Sequence, residues 1–174
     1  MSDSDSPVDV DIPDDALCLV ACGKSKIRTY DEDLERHVPV PADQLYTSSY
    51  AVVKRNLALT CEDHRILSAE HGIVAPDHLL EYYDTKMGDV PDSEFDAETP
   101  GTLAWKIEQS LTRWSEQYDD PTIILLGGTD YIDPLEDVYS RVPATVRFPL
   151  QEAELPGMMA QMSWMSDRAE ERQA

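Results

Sequence analysis

Short hydrophobic segments alternate with amphipathic ones along this chain, and the alternation predicts its fold. Four segments are brief, apolar and rich in Val, Leu and Ile, which is typical of strands buried in a sheet. They run from Ala16 to Cys22, from His64 to Ser68, from Pro121 to Leu126 and from Val146 to Phe148. Strands that alternate with helices form mainly parallel sheets with helices on both faces. We therefore expect an α/β fold, a three-layer sandwich with a four-stranded, mostly parallel sheet.

The segments between these strands have the spacing of helices. After Leu45-Tyr46, Thr47 or Ser48 can cap a helix in which Tyr50, Val53 and Leu57 recur three and four residues apart. A second amphipathic helix is predicted from Thr102 to Tyr118, and a last one after Gly157.

The 174 residues suffice for one domain with a hydrophobic core. Residues 1–15 are rich in Ser, Asp and Pro, and we expect them to form a disordered acidic leader. Residues 16–166 are predicted to form a single α/β domain, and residues 167–174 a charged tail.

Acidic residues dominate the chain, with 35 Asp and Glu against 14 Lys and Arg and a formal net charge of -21. This balance indicates a halophilic protein, because the Debye length of about 3 Å in roughly 1 M salt screens the self-repulsion. An ordinary acidic protein and a nucleic-acid mimic are the alternatives. We see no signal peptide and no apolar run of membrane-spanning length, so we expect a cytoplasmic protein that does not bind membranes.

Three predicted strands end in a glycine-containing polar loop. The loops run from Cys22 to Lys26, from Ser68 to Gly72 and from Gly127 to Tyr131. Ligands of open α/β sheets bind outside the carboxyl ends of the strands. If the strands are parallel, the three loops lie at one edge and form a ligand site there.

The first loop carries the cations expected of an anion site. Lys24 and Lys26 would supply charge to a phosphate, and Ser25 and the backbone N–H groups beside Gly23 would add donors. A solvated turn is the alternative. The sequence lacks the earlier glycine of a P-loop, which argues against an ATPase. Cys22 has either a thiol activated by the lysines or a buried structural one.

Three residues are candidates for catalysis. His71 titrates near neutral pH and could act as general acid or electrophile, although a histidine bonded to turn backbone has the same pattern. Asp84 and Asp130 could orient water, and Asp130 could equally be placed in the first turn of a helix.

The remaining candidates would bind the ligand by close approach or stacking. Gly127 and Gly128 would let a ring or phosphate approach the backbone. Tyr46, Tyr83 and Tyr131 could stack on a base or serve only in packing. The histidines lack metal-like spacing and the three cysteines form no CxxC pair, so we expect neither a metal nor a cofactor.

Several motifs occur in the order seen in the YaaA-like family of domain-of-unknown-function proteins, which this chain resembles from about Ala16 to Met165. The motifs are Val20-Ala-Cys-Gly-Lys-Ser-Lys26, Leu45-Tyr-Thr-Ser48, Ile66-Leu-Ser-Ala-Glu-His-Gly72, Tyr83-Asp84, Leu126-Gly-Gly-Thr-Asp-Tyr131 and a looser Gly157-Met-Met-Ala-Gln161-Met-Ser-Trp164. The resemblance adds Thr47, Ser48, Ser68, Gly72, Thr129 and Gln161 to the candidate ligand-binding residues.

The resemblance also implies a fold and a chemistry. Such proteins are distantly similar to the uracil-DNA glycosylase fold, and their relatives include domains attached to tRNA-modifying enzymes that handle deazaguanine bases. We accordingly expect a protein that handles a nucleotide, a nucleobase or a nucleic-acid end. The first hypothesis is an enzyme that cleaves or transfers at an N-glycosidic bond in nucleic-acid modification or repair. The second is a non-catalytic sensor of a nucleotide or damaged base, which serves as an accessory subunit of a DNA or tRNA modification system. An acidic structural protein is the third hypothesis.

Overall fold

The computed structural model describes residues 10–21, 30–83 and 85–173. Its strands are β1 (Leu17–Ala21), β2 (Tyr30–Asp31), β3 (Arg36–His37), β4 (Val40–Pro41), β5 (Asp63–Ser68), β6 (Gly72–Val74), β7 (Leu79–Leu80), β8 (Thr122–Leu126) and β9 (Thr145–Arg147). Its α-helices are α1 (Ala42–Leu45), α2 (Ser49–Ala58), α3 (Leu103–Ser115), α4 (Glu136–Arg141), α5 (Pro149–Glu152) and α6 (Gly157–Gln173). Short 3₁₀ helices span Met87–Asp89, Asp92–Phe95, Thr129–Tyr131 and Asp133–Leu135.

The central sheet has five strands in the order β6-β5-β1-β8-β9. Strands β5, β1, β8 and β9 are parallel, whereas β6 runs antiparallel to β5. The predicted mixed α/β fold with a mostly parallel sheet is confirmed, but the predicted number of four strands is wrong. The additional strand is β6, in which Gly72 adopts a left-handed φ of 74° and reverses the chain so that it pairs back on β5.

Helices cover both faces of this sheet. On one face, Leu17 and Leu19 of β1 belong to a hydrophobic cluster that includes α3 and α4 residues such as Ile107 and Val138. On the other face, Cys18 and Val20 belong to a cluster with residues of α2 and α6. All five residues of β1 are buried, as expected for a central strand covered on both sides.

Helix α2 begins at one of the two cap positions that the sequence allows. The Ser48 side chain accepts a hydrogen bond from the Ala51 N–H at 3.0 Å, which satisfies one of the unpaired donors of the first turn. The predicted apolar positions, Tyr50, Val53 and Leu57, all pack in the cluster between α2 and the sheet.

Both ends of the described chain pack against the domain. Val10 is buried, and the Arg172 guanidinium donates hydrogen bonds to the Ile12 and Pro13 carbonyls at 3.0 and 3.2 Å. Helix α6 continues to Gln173. The charged residues after Asp167 therefore form the solvated side of a helix whose other side buries Ala169.

We find no helix in the described parts of the chain that combines the length and the hydropathy needed to cross a membrane.

Candidate functional site

The carboxyl ends of three parallel strands meet at one edge of the sheet. Ala21, the last residue of β1, pairs with Leu67 of β5, and Val20 pairs with Leu126 of β8. Ser68 and Gly127 consequently lie on either side of the end of β1. The predicted residues Cys22, Gly23, Lys24, Ser25, Lys26 and Asp84 lie outside the described residues.

Three hydroxyl groups form a hydrogen-bonded network at this edge. The Ser68 hydroxyl donates to the Tyr83 hydroxyl at 2.8 Å, and the Tyr83 and Tyr46 hydroxyls share a further hydrogen bond. Ser68 Oγ also accepts the N–H groups of Glu70 and His71 at 3.2 and 3.1 Å. We call Tyr46, Ser68 and Tyr83 the hydroxyl network, because each hydroxyl is hydrogen-bonded to the next and polarises it.

His71 lies beside this network. Its ring meets the Tyr83 ring edge to face, with centroids 5.1 Å apart and an interplanar angle of 89°. Desolvation lowers the pKa of His71 below its ordinary value, although the nearby Glu70 carboxylate opposes the shift. The imidazole is therefore mainly neutral at pH 7. A neutral imidazole can donate one hydrogen bond and accept another, but it does not supply a positive charge.

The glycines at the edge have different structural roles. A Cβ at Gly127 would lie 2.5 Å from the Ala21 Cβ, so only glycine fits where β8 leaves the sheet beside β1. Gly72 is required by its positive φ. Gly128 is exposed, and the space around its α-carbon is open.

The loop after β8 divides into an exposed and a packed part. Thr129 and Asp130 are exposed, and an Asp130 carboxylate oxygen lies 3.8 Å from the position that a Cβ at Gly88 would take. Tyr131 is half-buried and packs against the hydrophobic cluster that contains Tyr46. The structure thus brings Tyr131 close to the hydroxyl network and leaves Asp130 facing solvent.

Three other predicted binding residues have structural roles or positions apart from the network. Thr47 is exposed, and Ser48 caps α2. Gln161 of α6 accepts a hydrogen bond from the Tyr50 hydroxyl at 2.5 Å.

Sequence reasoning missed Lys54, which lies at the same edge. Its ammonium group is 2.6 Å from the Ala21 carbonyl oxygen and 4.7 Å from the centre of the Tyr50 ring, and the side chain is only 2% exposed. A buried lysine is rare. Its signal in the sequence is its position between Tyr50 and Leu57 on the otherwise apolar side of α2.

Sequence reasoning also missed Gln151, because no pattern around this position indicates a functional residue. Its amide N–H donates to the Gly127 carbonyl at 3.0 Å, while its Oε1 atom is buried and has no hydrogen-bond partner among residues 10–21, 30–83 and 85–173. Gln151 therefore places an amide group beside the ends of β1 and β8.

A small cavity of about 20 Å³ lies behind Tyr46 and is lined by residues that include Ala21, Arg55 and His64. It has room for roughly one water molecule. The described residues offer no partner to the buried His64 Nε2 atom, so a water molecule in this cavity would satisfy it.

Metal binding receives no support from this geometry. The described part of the chain contains no group of three or more His, Cys, Asp or Glu side chains that could hold a metal ion.

Fold and site together define an α/β protein with a polar, tyrosine-rich site at the carboxyl edge of a mostly parallel sheet. The chain belongs to a family of unknown function (DUF6884), whose model matches residues 17–167. A search of the curated proteins gave no match. The family match agrees with the expected domain of unknown function, and no comparison links the chain to the YaaA-like proteins or to uracil-DNA glycosylases.

Proposed function

We propose that this protein binds a nucleotide or nucleobase at the carboxyl edge of its sheet and acts on an N-glycosidic bond in nucleic-acid modification or repair. The observation that carries the proposal is the hydroxyl network, which lies beside the His71 ring at the end of β5, next to the end of the central strand β1. Aromatic rings can stack on a base, and oriented hydroxyls can bond to its polar edge.

Positive charge at the same edge supports an anionic ligand. Lys54 places an ammonium group against the last carbonyl of β1. Lys24 and Lys26 follow β1 in the sequence, and in the proposal they bind the phosphate.

In this proposal the neutral His71 imidazole donates a hydrogen bond to the departing base, and Asp84 or Asp130 orients the attacking water. The exposed position of Asp130 favours a second candidate, a non-catalytic nucleotide or damaged-base sensor that serves as an accessory subunit of a modification enzyme.

The fold is compatible with the relationship that the motifs suggest. The four strands predicted from the sequence are the four parallel ones, and β6 is added at the edge beside β5. We propose that the sheet is a variant of the four-stranded parallel sheet of the uracil-DNA glycosylase fold, shared with the YaaA-like proteins, and that the protein acts in a potassium-rich cytoplasm.

Calorimetry at molar KCl with AMP, GMP, UMP, uracil, a 7-deazaguanine base and a uracil-containing oligonucleotide tests the binding. We expect Tyr83→Phe to weaken binding by about tenfold or more, because the phenol hydroxyl is removed and the ring is kept. Tyr118→Phe is the matched control, since its hydroxyl bonds to Asp63 at the start of β5, away from the site. Absence of binding to every probe, or equal affinities of the two variants, would refute the proposal.

Product analysis separates the enzyme from the sensor. If the protein is an enzyme, the free base is released from the bound nucleotide or oligonucleotide, and His71→Ala lowers turnover by about 100-fold or more while binding persists. Binding without release of a base would establish the sensor.

A further inference from the structure

Two thiols meet on the side of the sheet that α2 and α6 cover. Cys18 of β1 is fully buried, and Cys61, which follows α2, is half-buried and packs against the same hydrophobic cluster. Their side chains are hydrogen-bonded to each other, and Cys61 Sγ lies 3.7 Å from the Leu57 carbonyl oxygen. Both cysteines are free thiols, and the hydrogen bond from the Glu62 N–H to the Ala16 carbonyl at 3.0 Å holds the segment that carries Cys61 beside the start of β1.

A fixed guanidinium group lies beside Cys61. Arg172 donates to the Thr60 hydroxyl at 2.9 Å and to the Ile12 carbonyl at 3.0 Å, and it also contacts the Cys61 thiol. These bonds hold a permanent positive charge next to the sulfur, where it stabilises a thiolate.

The two thiols differ in acidity as a result. The hydrogen bond from Cys18 lowers the pKa of Cys61. Burial opposes this shift, and the Arg172 charge adds to it. Burial and the hydrogen bond to Cys61 raise the pKa of Cys18, although Arg172 and Lys54 oppose this shift. Cys61 is therefore the nucleophile of the pair and Cys18 the neutral partner.

Solvent reaches this corner of the molecule through an open cavity of about 710 Å³. Its lining is mainly polar and includes Thr60 and Arg172, which are two of the residues that contact Cys61. A small polar oxidant can enter this cavity, whereas Cys18 has no exposed surface.

We propose that Cys18 and Cys61 form a dithiol site that reacts with hydrogen peroxide and closes to a disulfide. The Cys61 thiolate attacks one peroxide oxygen, the O–O bond breaks, and hydroxide leaves and is protonated to water. The Cys18 sulfur then attacks the Cys61 sulfenic acid, the S–S bond forms as the S–O bond breaks, and the Cys18 proton leaves with the oxygen as a second water molecule. One peroxide is reduced to two waters while two thiols are oxidised, and no step depends on the function proposed above.

Intact-mass measurement in a Cys22→Ser background, in which only Cys18 and Cys61 remain, tests the proposal directly. After peroxide treatment, denaturation and alkylation with N-ethylmaleimide, we expect a protein that has lost two hydrogen atoms and takes up no label. A reductant should restore both thiols. Two labelled cysteines after treatment, or gain of oxygen atoms without loss of hydrogens, would overturn the proposal.

Single substitutions assign the two roles. In the same background, Cys18→Ser should accumulate a Cys61 sulfenic acid that dimedone traps, because the second thiol is missing. Cys61→Ser should leave the buried Cys18 unreactive in the folded protein. Dimedone labelling of Cys18 in preference to Cys61 would refute this order of events.

The contribution of Arg172 is measured by the rate at which folded protein is alkylated at Cys61. Arg172→Gln should slow alkylation at pH 7 by roughly tenfold, because loss of the guanidinium charge lowers the fraction of Cys61 present as thiolate. Arg168→Gln, one turn earlier on α6, removes the same charge and is the control. Equal slowing in both variants would refute the local role of Arg172, and circular dichroism checks that each variant is folded.

If Arg172→Gln does not fold, the pH dependence of Cys61 alkylation in the Cys22→Ser protein tests the same role. A midpoint at or above that of a free thiol would refute it.

Discussion

Ser68 illustrates how much a single buried hydroxyl can organise. It is fully buried at the end of β5, accepts two backbone N–H groups and donates to Tyr83. The loop that carries His71 therefore keeps its shape partly through one oxygen atom.

Replacement of this hydroxyl gives a stability prediction. Ser68→Ala leaves the N–H groups of Glu70 and His71 without their acceptor, and we expect a loss of about 1 to 3 kcal/mol in the free energy of unfolding. Urea denaturation at molar KCl measures it. Ser115→Ala is the control, because among residues 10–21, 30–83 and 85–173 this buried hydroxyl bonds only to the Leu111 carbonyl of its own helix. A cost no larger than that of the control would contradict the role of Ser68.

A second prediction at the residue scale concerns pH. Desolvation lowers the pKa of His64 below its ordinary value near 6.5, with smaller opposing effects from Asp63 and Asp43. The unfolded chain then binds more protons than the native protein in the window below about pH 6.5, so stability falls as pH decreases through that window. Desolvation acts on His71 in the same direction.

Unfolding experiments between about pH 7.5 and 5 check this dependence. Wild-type stability should decline over the range, and His64→Gln should make the decline shallower because one titrating group is removed. An unchanged slope in the variant would show that His64 does not contribute.

Among the strands and helices, those with long hydrophobic patterns could be located from the sequence. Strand β8 and helix α3 lie close to their predicted positions, because four consecutive apolar residues in the strand and three amphipathic turns in the helix give clear patterns. Strand β6 was missed because three residues are too few to show a period, and its pairing depends on the turn at Gly72.

The sequence included the three residues of the hydroxyl network among its candidates, but it did not predict their spatial arrangement. Tyr46, Ser68 and Tyr83 were all candidates, but the bond between Tyr46 and Tyr83 joins residues 37 positions apart, and no local pattern encodes it. Lys54 and Gln151 acquire their positions only when α2 and α5 pack on the sheet. The sequence alone could not decide whether Ser48 caps a helix or binds a ligand.

The cap of α2 provides a prediction for this element. Ser48→Ala should cost about 1 kcal/mol, because the Ala51 N–H loses its acceptor. Thr47→Ala, at the exposed neighbouring position that the sequence also allowed as a cap, should change stability little. Urea denaturation measures both, and a larger cost for Thr47→Ala would place the cap one residue earlier.

At the scale of the whole molecule, charge is the dominant property. With a net charge of -21 on 174 residues, repulsion between carboxylates opposes the compact state wherever salt does not screen it. The cations that the structure describes are mostly tied to specific partners, such as Arg172 to backbone carbonyls and Arg141 to Glu108. They do not relieve the repulsion across the rest of the surface.

Stability should therefore rise steeply with KCl between about 0.1 and 2 M, over which the Debye length falls from roughly 10 Å to below 3 Å. Thermal unfolding followed by circular dichroism measures the effect. A variant in which four exposed carboxylates become amides, Asp92→Asn, Glu116→Gln, Asp119→Asn and Glu170→Gln, should be more stable than wild type at low salt and should respond less to KCl. Screening then accounts for the salt response, because fewer like charges remain to be screened. Equal salt responses in the two proteins would mean that KCl acts through hydration of the surface instead. If the stability of the wild-type protein did not change with KCl, the halophilic interpretation itself would be refuted.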